Sequence, residues 1–94
     1  MSRLERDCVR LLQASAPMPL TARVTSSRDW ASSLFVGTRL TFDVAAAESE
    51  AFDTWLARLS EIELPLRGHF VADAEVTARS AGSATVEILV IEEA

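Results

Sequence analysis

The chain has 94 residues, 49% of them hydrophobic and 24% charged, with three Gly and three Pro; this composition excludes a disordered or low-complexity segment and describes one globular domain. A formal net charge of -5 opposes a phosphate backbone, because nucleic-acid affinity rests on Lys and Arg that release counterions, so nucleic acid is excluded as an expected partner. A lone cysteine, Cys8, excludes an internal disulfide framework and a paired-thiolate zinc site, and fits a reducing compartment.

All nine basic residues are Arg and none is Lys, a bias expected of a GC-rich bacterial genome. No stretch near the start has the apolar centre of a signal peptide, and the longest strongly apolar run, Ile88 to Ile91, falls far short of the ~20 residues that span a bilayer. A cytoplasmic protein with no membrane contact is expected.

Ser2 and Glu5 have the spacing of a capping box, in which each side chain satisfies the other residue's amide, so a helix is expected to start here. Leu4, Cys8, Leu11 and Leu12 then recur at helical spacing, with Arg3, Arg6 and Arg10 opposite and Asp7 placed to pair with Arg3 and Arg10. Pro17 and Pro19 bar continuation, and the helix is expected to end near Ala14. From Leu20 the period changes to two and predicts a strand, broken by a turn at Ser26-Ser27-Arg28-Asp29. Leu34, Val36, Leu40, Phe42 and Val44 alternate with Gly37, Arg39, Thr41 and Asp43, which predicts a longer strand; Phe35 falls outside that alternation.

Phe52, Trp55, Leu56 and Leu59 mark a second helix, with Glu48, Glu50 and Asp53 near its positive end. After Pro65 and Gly68, the residues Phe70, Ala72, Ala74 and Val76 alternate with Val71, Asp73, Glu75 and Thr77. Ser80-Ala81-Gly82-Ser83 then turns the chain into a last strand, Thr85 to Ile91, which pairs with the one before it. The expected architecture is an α+β two-layer sandwich in the order α-β-β-α-β-β, a four-stranded, mainly antiparallel sheet with helices packed on it.

Catalytic vocabulary is sparse, and the residues point away from an enzyme. His69 is the only histidine, and in a regular strand it shares a face with Val71, Asp73 and Glu75, with Glu87 adjacent. One imidazole among carboxylates could hold a cation, but a solvated sheet face gives the same alternation, so no metal site or catalytic residue is assigned. Cys8 lies on the apolar stripe of its helix and reads as core; the serine pairs lack a nucleophile elbow; no glycine-rich phosphate loop is present, and no cofactor is expected. Gly68-His69-Phe70 is too short to mark a family.

The feature that stands out is the last strand, which past Glu87 is apolar on both faces. Val86, Ile88 and Val90 face one way, Leu89 and Ile91 the other, and a two-layer domain covers only one face. The expectation is a non-enzymatic module that forms a homo-oligomer or binds another protein through Leu89 and Ile91, with Val71, Phe35 and the aromatic Trp30 as further contacts. Glu92 and Glu93 guard the strand end against open-ended pairing. The alternative is a small-molecule or metal-binding site built from His69 and Asp73, with Arg39 or Arg67 holding an anionic group.

Overall fold

The structure, a computed structural model, describes residues 1–93. Among these the order is α1 (Arg3–Ser15), β1 (Thr21–Ala31), β2 (Val36–Ala45), α2 (Glu50–Ala57), a 3-10 turn at Leu59–Glu61, β3 (His69–Ser80) and β4 (Ser83–Glu92). The strands form one antiparallel sheet in the order β1-β2-β4-β3, and both helices pack on the same face, giving the α+β sandwich that the sequence predicts.

Each helix starts where a serine can take an orphan amide. The Ser2 hydroxyl accepts from the Glu5 amide and the Glu5 carboxylate accepts from the Ser2 amide, the full capping box, while Ser49 accepts from the Phe52 amide to open α2. Asp7 pairs with Arg3 and Arg10 along the outer side of α1. On the inner side Cys8 and Leu12 join Phe52, Trp55 and Leu56 of α2 in one apolar core with Leu40, Phe42, Val44, Val86, Ile88 and Val90 of the sheet. The connection after the 3-10 turn is irregular yet also contributes core: Leu64 and Leu66 are buried around Pro65, and the Leu66 amide donates to the Leu64 carbonyl at 2.7 Å. That three-residue turn suits a proline at its centre, whose fixed φ matches it.

The two halves of the chain are equivalent in their pairing. β1 opposes β2 as Val24↔Phe42, β3 opposes β4 as Val76↔Val86, and Phe42 opposes Val86 at the middle of the sheet, so a two-fold relation runs through that pair. The next residue on each edge strand, Thr25 and Thr77, is a bulge, and each hydroxyl donates to the neighbouring strand, Thr25 to the Thr41 carbonyl and Thr77 to the Thr85 carbonyl. The hydroxyl occupies a carbonyl that the displaced backbone leaves unpaired.

Three expectations need correction. Ser26-Ser27-Arg28-Asp29 is not a turn: β1 continues through it to Ala31, and the hairpin closes at Ser32–Phe35, where the Ser32 amide donates to the Phe35 carbonyl and its hydroxyl accepts from the Leu34 and Phe35 amides. An edge strand exposed on both sides has no apolar alternation to reveal it. Secondly, β3 carries a bulge at Ala72. The extra residue flips the faces: Val71 packs towards the helices, and Phe70, expected to lie on the side of Ala74 and Val76, turns outward. Thirdly, Leu89 and Ile91 do not stand out as uncovered surface; they are only 8% and 3% exposed within the single chain, so little of either is left for a partner to cover.

Candidate functional site

The face of the sheet away from the helices has no layer over it, and the strand register fixes what lies there. One row across the sheet reads Trp30, Gly37, Ile91, Phe70 from β1 to β3, the next Arg28, Arg39, Leu89, Asp73, and the third Ser26, Thr41, Glu87, Glu75. Leu89 and Ile91 belong to this face and lie outside the main core cluster, yet they are buried. Gly37 explains how Ile91 is covered. A Cβ built on Gly37 would lie 2.2 Å from the Val90 carbonyl oxygen and 3.0 Å from Cδ1 of Ile91, so the isoleucine leans across the gap that glycine leaves. Cross-strand neighbours shield what remains: half-buried Trp30 beyond Gly37, and Phe70 directly opposite Ile91.

Covering this pair displaces the apolar exposure to the covering residues. Phe35 and Phe70 meet edge to face with ring centres 6.5 Å apart, and they stay 49% and 42% exposed. Leu34, at the tip of the β1–β2 hairpin, is 84% exposed, and Val36 beside it is also exposed. Phe35, Phe70 and Trp30 thus gather at one end of the outer face, with Leu34 at the adjoining hairpin tip. Of the residues expected at a contact, Phe35 and Trp30 lie at this end of the outer face and Val71 lies on the other face, while a bulge and a strand pairing that the sequence does not mark bring Phe70 and Gly37 there.

The charged rows beside this patch are polarised. Arg28 lies directly opposite Arg39, and Glu75 directly opposite Glu87, like charges in the positions where cross-strand repulsion is greatest. Arg39 relieves the inner members by reaching Glu87 at 3.1 Å, but Arg28, Asp73 and Glu75 have no ion-pair partner among the described residues. The β1 side of the face is therefore basic and the β3 side acidic.

The residues of the alternative site are split apart. The bulge at Ala72 sends His69 to the helix side and leaves Asp73 and Glu75 on the outer face, so the imidazole and carboxylates do not converge. No group of three His, Cys, Asp or Glu side chains among the described residues could hold a metal ion. His69 Nδ1 is 3.1 Å from the Arg67 carbonyl oxygen, and these two residues border a 310 Å³ cleft with Arg3 and Asp7. Arg39 and Asp73 lie in the outer row on either side of Leu89. A larger open groove, of 640 Å³, runs between the end of α1 and α2, floored by Trp55 and Leu59 and edged by Glu50 and Arg58. Burial, with lesser contributions from Asp7 and Glu5, pushes the Cys8 thiol up to about 12, the state of an inert core cysteine.

Among the described residues no helix is long and apolar enough to cross a membrane. The fold and this face define the molecule as a two-layer α+β sandwich with an open sheet. Comparison with protein-family models, curated proteins and solved structures finds no match to the chain.

Proposed function

We propose that this chain is a non-enzymatic interaction module that self-associates through the open face of its sheet, at the end where Trp30, Phe35 and Phe70 gather. The observation that carries this reading is the exposed edge-to-face pair Phe35–Phe70, next in sequence to exposed Leu34 at the hairpin tip and cross-strand to the buried Ile91. Rings held this openly at one end of a sheet lose little conformational freedom on binding, and contiguous apolar surface of this kind is characteristic of protein contacts. The contact proposed here differs from the one expected from sequence: the last strand supplies the floor, and the aromatics laid over it supply the contact.

A small-molecule or metal site has less support, because His69 and Asp73 lie on opposite faces and the buried side chains among the described residues are apolar. Light scattering on the wild-type chain and on Phe70→Glu tests the proposal. Concentration-dependent association in the first and its loss in the second, with melting temperatures matched, is the expected result. Equal association of both chains would overturn the assignment of the contact to this patch, and a wild-type chain that stays monomeric would overturn self-association.

A further inference from the structure

We infer that self-association, as read above, produces a closed dimer in which two sheets pack face to face about a two-fold axis running parallel to the strands, with Arg28 of each copy meeting Asp73 and Glu75 of the other. The argument is one of register and charge. Strand order across the face is β1-β2-β4-β3. An axis parallel to the strands reverses that order in the facing copy and keeps each row at its own height. β1 then lies over the partner's β3, so the row of Trp30, Gly37, Ile91 and Phe70 meets the same row. Arg28 meets the row of Asp73, next to that of Glu75.

The competing two-fold arrangements fail one of these matches. An axis across the strands inverts the order of the rows, setting aromatic Trp30 over the row of Arg23 and Asp43 and stacking acidic Asp73 on Glu75. Pairing by strand edges would have to use β1 or β3, and bulges at Thr25, Ala72 and Thr77 interrupt both edges. Of these arrangements, the strand-parallel axis brings the apolar rows together and sets Arg28 over the partner's Asp73, one row from Glu75. It also relieves a cost internal to the chain, since Arg28, set beside Arg39, gains the partner's Asp73 as a counter-charge.

The available area suffices. Four strands of ten residues cover roughly 20 by 33 Å, about 650 Å² per copy, and two such faces reach the lower end of the ~1,200–2,000 Å² of stable interfaces. Twist places facing sheets about 30° apart, so the match is centred on the rows of Ile91 and Leu89 and loosens beyond them. Both sheets are consumed by the contact, and the assembly closes at two.

Two charge-reversed chains test this geometry: Arg28→Glu, and Asp73→Arg with Glu75→Arg. Arg28→Glu and Glu75→Arg each convert a like-charge cross-strand pair into an opposite one within the chain, and Asp73 stands opposite the uncharged Leu89, so folding is not weakened, and circular dichroism melting verifies it. Alone, each chain sets like charges together twice per dimer and should raise the dissociation constant by roughly a hundredfold or more. Mixed in equal amounts the two chains should form a heterodimer, because both contacts are again between opposite charges. A wild-type dimer, weakened in each variant alone and restored in the mixture, supports the inference. Association that Phe70→Glu abolishes but the charge reversals leave untouched, or that the mixture fails to restore, overturns this geometry and leaves the proposed contact standing. A wild-type monomer overturns both.

Discussion

Gly37 and Ile91 face each other across β2 and β4, and the isoleucine side chain occupies space that any residue larger than glycine at position 37 would need. Because the nearest obstacle is the Val90 carbonyl oxygen, 2.2 Å from the position of a Cβ, a rotamer change cannot relieve the clash. Gly37→Ala should therefore separate two central strands and cost about 2–3 kcal/mol. At this chain length that lowers the melting temperature by about 4–8 °C per kcal/mol, measurable by calorimetry. A change under 1 °C would show that the strands do not approach so closely.

A polar contact ties the two helices. Trp55 Nε1 donates to the Ser15 hydroxyl at 3.0 Å, and that hydroxyl donates to the Leu12 carbonyl at 2.7 Å. Ser15→Ala leaves the indole N–H of a mostly buried ring without its protein acceptor and should cost about 1 kcal/mol in urea unfolding. The same substitution should alter Trp55 emission in the folded state. Unchanged stability and emission would mean that water replaces the hydroxyl without penalty.

Cys8 gives an alkaline signature. Its thiol has the ordinary value of 9.0 in the unfolded chain and is pushed up to about 12 when folded, because burial, and secondarily Asp7 and Glu5, disfavour the thiolate. The folded state then holds a proton that the unfolded state releases. The stabilisation tied to this group is complete below about pH 9 and declines as the pH rises from there towards 12. Cys8→Ala should flatten that decline, and thiol reagents at pH 8 should label the wild type only as fast as it opens. Rapid labelling under native conditions would contradict this placement.

Since His69 and Asp73 are on opposite faces, divalent cations have no converging ligand set at this position. Adding millimolar zinc, calcium or magnesium should move the melting temperature by no more than about 1 °C, and His69→Ala should respond identically. A larger shift that His69→Ala removes would restore the alternative reading.

Local chemistry made much of this fold readable. The Ser2 and Glu5 box, the prolines after α1 and the aromatic stripe of α2 act within a few residues of themselves, and the structure realises each. What escaped depends on pairing. The bulges at Thr25, Ala72 and Thr77 add single residues with no compositional mark, and the one at Ala72 is enough to exchange Phe70 for Val71 on the outer face. Leu64 and Leu66 are buried in a connection without periodicity. The two-sided apolar character of β4 was legible; its cover was not, because that cover comes from Gly37, Trp30 and Phe70 on strands whose neighbours only the sheet order reveals.

Sedimentation equilibrium of the unaltered chain, from micromolar to hundreds of micromolar, addresses the open sheet face most directly. Association through that face predicts a mass rising from the 10.2 kDa of one chain to a plateau at twice that value. A mass fixed at 10.2 kDa over the whole range would contradict it.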